Sequence, residues 1–186
     1  MHRLVRVRQK FPKRPLPDVA AAVRQTMEAA EWTRSVKPGS RIAVGAGSRG
    51  IQNIDVIVKA VVDFWKSRDC KPFIVPVMGS HGAATAEGQA DVLHHYGITE
   101  ERMGAPIVSS LDVVKVGTTP EGIEVSMDRN AFESDGVMLC SRVKWHTDFE
   151  GGLESGVHKM MAIGLGKWAG AKRYHTWALK IGMEQV

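Results

Sequence analysis

The sequence predicts an α/β domain, a Rossmann-like parallel sheet with a small antiparallel insertion. Short apolar runs alternate with longer runs of helical period, the order in which parallel strands are joined by crossover helices. Turn residues punctuate them, as at Pro38-Gly39. Around Thr119-Pro-Glu-Gly122, by contrast, short apolar runs crowd together, and their closeness suggests antiparallel pairing.

Pro17 to Trp32 reads as a helix with Val19, Ala22, Val23, Met27 and Ala30 on one face. Arg41 to Gly45 is a strand. Ile54 to Lys66 follows as a helix, carrying Ile54, Ile57, Val58, Val61, Val62 and Trp65 at helical spacing. Pro72 to Val77 is the next strand and Thr85 to Tyr96 the next helix, with Gly97 closing it. This order implies right-handed crossovers, with helices on both faces of the sheet. Ile107 to Ser110, Val113 to Thr118 and Ile123 to Met127 are the short strands of the middle. Gly136 to Val143 returns to a buried strand, and helix resumes from about Ser155.

Composition narrows the function classes. The chain of 186 residues suffices for one compact domain. Its 44% hydrophobic and 24% charged content is that of an ordinary globular protein. It has no apolar run long enough for a membrane span, and its basic start, Met1 to Arg8, lacks the apolar region of a signal peptide. Cys70 and Cys140 are isolated, which argues against a disulfide framework or a thiolate zinc site and leads us to expect a cytoplasmic protein. The net charge of +5 comes with basic clusters only at Arg3 to Arg14 and Lys167 to Arg173, neither interleaved with stacking aromatics. An anionic small molecule accounts for that excess better than nucleic acid does. A homo-oligomer is left open. The run Ala178 to Val186 carries no clear stop signal, so we expect the domain to be a truncated part of a longer protein.

In an open parallel sheet, ligands bind beyond the carboxyl ends of the strands. Three segments fall there: Gly45-Ala-Gly-Ser-Arg49-Gly50, Gly79-Ser-His81-Gly82 and Val143-Lys-Trp-His146. The first matches G-x-G-x-x-G formally but lacks the acidic ribose ligand after a following strand. It reads as a turn that presents Arg49, whose planar fork suits a carboxylate or phosphate. His81 or His146 alone would more often be an ordinary loop residue, and His94-His95 reads as a surface or partly buried pair. Downstream, Gly151, Gly152, Gly156, Gly164 and Gly166 surround His158, Lys159 and the approach to His175. Glycine admits close backbone approach, histidine binds metals or moves protons near neutral pH, and lysine can bond a cofactor covalently. The joint arrangement marks a site.

That arrangement resembles the nickel-dependent lactate racemase family. His146 begins a glycine-containing loop, Ser155-Gly156 closely precedes Lys159, and Lys159 lies 16 positions before His175. His81, in its Gly-Ser-His-Gly frame, stands 65 positions before His146, and Gly47-Ser-Arg49 occupies the place of the family's arginine loop. The resemblance covers roughly Arg41 to His175. It departs at Met160-Met-Ala-Ile-Gly-Leu-Gly166, where the family has proline-glycine, and at Ala46, where an acidic residue often accompanies the arginine loop.

The resemblance implies an isomerase that racemises or epimerises a small 2-hydroxy acid with a nickel-pincer nucleotide. This cofactor is a pyridinium-3,5-bisthiocarboxylate mononucleotide whose sulfurs and ring carbon grip nickel. By position, Lys159 would hold the cofactor covalently, His175 would ligate nickel, His81 and His146 would be the catalytic acid/base pair, and Arg49 would bind the substrate carboxylate. The implied domain is the family's N-terminal cofactor-binding domain, without the C-terminal domain that completes the pocket, so the fragment alone is expected to be inactive. The competing reading is a non-catalytic Rossmann-like module that binds a nucleotide or anion through Gly45 to Gly50. The cofactor roles impose one structural demand. On a straight helix, 16 positions would set Lys159 and His175 about 160° apart, so a break is expected between them at Gly164, Gly166 or Gly170.

Overall fold

Alternate residues of a strand face opposite sides of its sheet, and the run 42–46 is apolar on both, so it requires cover above and below. It receives both. The computed structural model describes residues 5–12, 15–146, 150–152 and 154–186. Its first half contains α1 (Val19–Ala29), β1 (Arg41–Ala46), α2 (Ile54–Lys66), β2 (Lys71–Pro76), α3 (Ala86–His95) and the short α4 (Glu100–Met103). The second half contains β3 (Val113–Thr118), β4 (Glu124–Asp128), α5 (Arg129–Phe132), β5 (Gly136–Cys140), α6 (Val157–Lys159) and α7 (Lys167–Ile181).

β1 is central, parallel to β2 on one side and to β5 on the other. The strand expected over 107–110 contributes one parallel bridge, Ile107 to Ile74, beyond β2. β3 and β4 form a separate antiparallel hairpin, in agreement with the insertion read from the sequence. The expected strand 136–143 stops at Cys140 because its partner β1 ends there, in the register Ala46 to Cys140. The helix expected to reach Trp32 ends at Ala29 and passes into a 3-10 turn, Glu31–Ser35. Side-chain caps start the helices where the sequence offers them: Asp18 accepts from Ala21 N–H at 2.9 Å, and Thr85 from Gly88 N–H at 3.0 Å.

Ile42, Val44, Ala46, Ile74 and Cys140 form one face of the sheet and pack with Met27 of α1, Val58, Val61 and Trp65 of α2, Leu93 of α3 and Met103 of α4. Each fully buried aliphatic side chain there contributes roughly 1.5–3 kcal/mol. Ala43, Phe73, Val75 and Val77 form the other face. Here the expectation of helices on both faces is met by short helical pieces rather than a crossover helix. The cover is Met127 of β4, Ala131 of α5 and the segment carrying Met160 and Leu165. The connection returning from Ile107 to β5 is made of the hairpin and a single helical turn, so no crossover helix is available to that side.

The chain does break between Lys159 and His175. After α6 comes a π-helical turn, Met160–Gly164, closed by Leu165 N–H to the Met160 carbonyl at 2.8 Å. The residue that turns the chain is not one of the expected glycines. It is Lys167, with φ of +53°, while Gly170 lies within α7. A left-handed conformation at a residue with a side chain costs about 1–2 kcal/mol, and tertiary bonds hold it here. The Lys167 side chain is fully buried, donates to the Pro76 carbonyl at 2.6 Å, and stands 3.0 Å from Asp128 Oδ2. Asp128 Oδ1 accepts from Ala131 N–H at 2.8 Å and so caps α5.

Among the described residues, no helix is long and apolar enough to cross a membrane, and Cys70 and Cys140 are buried free thiols.

Asp128→Asn keeps the size and cap of the side chain but leaves the buried Lys167 ammonium without its counter-charge. We expect a loss of about 3 kcal/mol in urea unfolding, the low end for breaking a buried ion pair. A change under ~0.5 kcal/mol would show that the pair does not hold the turn.

Candidate functional site

The chain leaves β1 toward α2 on the first face, whereas the segment after β5 reaches the second face through Met160 and Leu165. Neighbouring parallel strands whose continuations diverge open a crevice at their carboxyl ends. A cavity of about 430 Å³ lies there, a size common for small-molecule sites. The loop after β1 lines it with Ser48 and Arg49, the loop after β2 with Ser80 and His81, and the loop after β5 with Arg142, Lys144 and His146. Lys159, Gly164 and His175 close it from the broken helical segment.

All five residues singled out from the sequence therefore face one cavity: Arg49, His81, His146, Lys159 and His175. His158, His94 and His95 are exposed and do not line it. Of the glycine-rich segment after His146, residues 147–149 and Leu153 lie outside the described residues.

Backbone contact brings the parts together. Gly79 has φ of +61°, and a Cβ there would meet Ile163 Cγ2 at 2.9 Å; one on Gly164 would meet the Val77 carbonyl at 2.9 Å. The loop bearing His81 and the π-helical turn after Lys159 thus touch main chain to main chain. Gln89 of α3 reaches into the His81 loop, its Nε2 donating to the Gly79 carbonyl at 2.8 Å and the His81 carbonyl at 3.3 Å. Arg142 Nη1 donates to the Gly50 carbonyl at 2.9 Å, tying the loop after β5 to the loop after β1. Glu154 accepts from the His146 and Gly151 backbone N–H groups at 2.7 and 3.3 Å.

The electrostatics are lopsided toward positive charge. His81 titrates below its ordinary value because it is partly buried and because Arg49 and Lys159 repel its protonated form. Lys159 is likewise pushed down, first by burial and then by Lys144 and Arg49, which favours the neutral, nucleophilic amine. Arg49 donates to His81 Nε2 from Nη2 at 3.0 Å and from Nε at 3.3 Å, and the Ser48 hydroxyl bonds His81 Nδ1. His175 engages the Ala171 carbonyl through Nδ1 at 2.6 Å, so Nδ1 carries the proton and Nε2 keeps the lone pair a metal requires. Cys140 does not supply a thiolate, since burial pushes its thiol up to about 12.

Among the described residues, no three His, Cys, Asp or Glu side chains converge to hold a metal. A single imidazole such as His175 suits a metal whose other donors arrive with the group that carries it. The donor set and the size of the cavity fit a metal-bearing mononucleotide of the kind implied by the resemblance.

Sequence reading left Ser48, Lys144 and Arg142 without roles, although each adjoins or lies near a residue it did single out. Lys167, Asp128 and Gln89 had no local signal, since their partners are distant in sequence.

A parallel-sheet domain with an anion-attracting cleft at its strand ends is the class that fold and site define. Within that class, the chain belongs to the family of the lactate racemase N-terminal domain, whose model matches residues 3–184. No curated protein matches it. The family points to an isomerase of the lactate racemase type.

The repulsion acting on His81 generates a pH prediction. Its NMR titration midpoint is expected below the ordinary histidine value. Arg49→Ala should raise the midpoint without carrying it above the ordinary value, because burial and Lys159 still act on the ring. A midpoint unmoved by that substitution would remove Arg49 as a cause.

Proposed function

We propose that this chain holds a lysine-tethered nickel-pincer nucleotide in the cleft and serves the racemisation or epimerisation of a small 2-hydroxy acid. The observation that carries this reading is the common cavity: Lys159 and His175 lie on two sides of a helix break, and three strand-end loops bring Arg49, His81 and His146 to the same space. A nucleotide- or anion-binding module without turnover would need neither the break nor the two loop histidines.

Lys159 would hold the cofactor through its amine, which burial and neighbouring cations keep reactive. His175 would offer Nε2 to nickel, with its ring fixed by the bond to Ala171. When bound, the group supplies an acceptor for the hydride of the substrate carbon and a donor that returns it.

The protein's own work is binding and proton transfer. Arg49 would take the substrate carboxylate in its fork, and a carboxylate held on its Nε and Nη2 edge would displace the bonds to His81. Anion binding in that mode would release the lone pair of the base as the substrate arrives. His81 Nε2 would accept the hydroxyl proton as the carbon loses hydride and the C–O bond becomes a carbonyl. For hydride return to the opposite face, protonated His146 would give a proton to the carbonyl oxygen, completing the inverted alcohol. Reversal exchanges the two roles, so each histidine must serve as acid in one direction and base in the other.

The test is made on protein produced together with the cofactor-making machinery. The wild-type chain should carry a covalent mass increment and about one nickel. Lys159→Ala should lose the increment, whereas His175→Ala should keep it and lose nickel. When the loaded domain is joined to the family's C-terminal domain, chiral analysis of lactate and other short 2-hydroxy acids should show inversion, with His81→Asn and His146→Asn each lowering kcat by about 10²–10⁴-fold. A wild-type chain with no adduct, or an adduct that survives Lys159→Ala, would overturn the proposal.

A further inference from the structure

We propose that Ser48 is a positioning residue for His81, accepting a hydrogen bond from Nδ1–H so that the Nε2 lone pair faces the cleft. The argument begins with Arg49. A guanidinium has donors and no acceptor, so its bonds to His81 Nε2 at 3.0 and 3.3 Å identify Nε2 as the nitrogen with the lone pair. A neutral imidazole has one lone pair in the ring plane and one N–H. Nδ1 therefore carries the proton, and the Ser48 hydroxyl bonded to it can only be the acceptor.

Arg49 and Ser48 agree on the tautomer, but only Ser48 is suited to hold it throughout a reaction. Arg49 is exposed, and any anion in the cleft competes for its fork. Ser48 is partly buried and fixed through its backbone, where its carbonyl accepts from Tyr96 Oη at 2.6 Å. Tyr96 closes α3, and the same helix supplies Gln89, which bonds the carbonyls of Gly79 and His81. One helix thus holds both partners of the Ser48–His81 bond. When Arg49 leaves, Ser48 remains to keep Nδ1 protonated and Nε2 free for the substrate hydroxyl.

The functional role rests on the reading of His81 as a base, whereas the tautomer does not, and the two are separable by experiment. Arg49→Ala removes the competing influence on the ring. In ¹⁵N–¹H spectra above the His81 titration, that variant should retain the Nδ1–H form. Arg49→Ala combined with Ser48→Ala should shift the ring toward Nε2–H, and Arg49→Ala combined with Ser48→Thr should restore Nδ1–H. His175 serves as internal control, because its Nδ1–H bond to Ala171 should be unchanged throughout. In cofactor-loaded protein that also carries the family's C-terminal domain, with Arg49 intact, Ser48→Ala should lower kcat on the order of tenfold with little change in KM, and Ser48→Thr should recover it. An Nε2–H ring in Arg49→Ala alone, or the same tautomer with and without the Ser48 hydroxyl, would overturn the proposal. If the tautomer responds as stated but the loaded domain, joined to the family's C-terminal domain, inverts no 2-hydroxy acid, Ser48 stands as the orienting group and the racemase reading falls.

Discussion

A buried ammonium organises the site without facing it. Lys167 is fully enclosed, and it joins three parts of the chain that are remote in sequence: the end of β2 through Pro76, the end of β4 through Asp128, and the start of α7 through its own backbone. Burial disfavours its charge and Asp128 supports it, with burial the larger influence. A lysine is a poor choice for a left-handed turn in isolation, and a glycine would take that conformation more readily. What lysine supplies is a tether. Because its Nζ reaches Pro76, the turn is fixed against the strand whose next loop carries His81. The bend between Lys159 and His175 is thereby referenced to the loop they must meet. Tyr174 adds a second anchor, its hydroxyl accepting from Ser126 N–H at 3.1 Å, and Arg173 a third through Glu124 at 2.8 Å.

The cleft above this frame is short of negative charge. Arg49, Arg142, Lys144 and Lys159 line it, and among the described residues no Asp or Glu side chain joins them. Mutual repulsion would be relieved by deprotonation or by an anion. The lowered affinity of His81 and Lys159 for protons is the first response, and it leaves the arginines charged. A carboxylate or phosphate would be the second. On the proposed reading the two responses suit one chemistry: weakened proton affinity favours Lys159 as nucleophile and His81 as base, while the guanidinium that contributes to it would receive the carboxylate.

Much of this was legible in the sequence, and for identifiable reasons. The bounds of α2, Ile54 to Lys66, follow from its apolar periodicity, and β1 and β2 follow from short apolar runs between turns. Those signals are local. The end of β5 was not legible beyond Cys140, because a strand continues only as far as its partner, and β1 is remote in sequence. The second face was misread for a similar reason, since the hairpin was recognised but not its use as cover for the sheet. Within the site, histidine, lysine and arginine carry chemistry that marks them in any context. A serine does not, and nothing local in Gly47-Ser-Arg49 reveals that its hydroxyl meets a ring 33 positions away. Likewise the break was expected at glycines, whereas the turn falls on Lys167, whose conformation is decided by Asp128 and Pro76.

The site therefore rests on two kinds of order. Main-chain contact is the first: with a glycine at both 79 and 164, the His81 loop and the π-helical turn approach within the space a methyl group would need. The second is support of side chains from behind, by Gln89 and Tyr96 of the α3 region toward His81 and by Lys167 toward the segment between Lys159 and His175. The supports leave the reactive atoms uncommitted. His175 has its Nδ1 occupied and Nε2 available, and His81 has its Nδ1 occupied by a fixed hydroxyl and its Nε2 covered only by an exposed arginine. On the proposed reading of His81 as a base, that asymmetry is the one its role requires. The bond that sets its orientation is rigid, and the bond that occupies its lone pair is the one an incoming anion can displace.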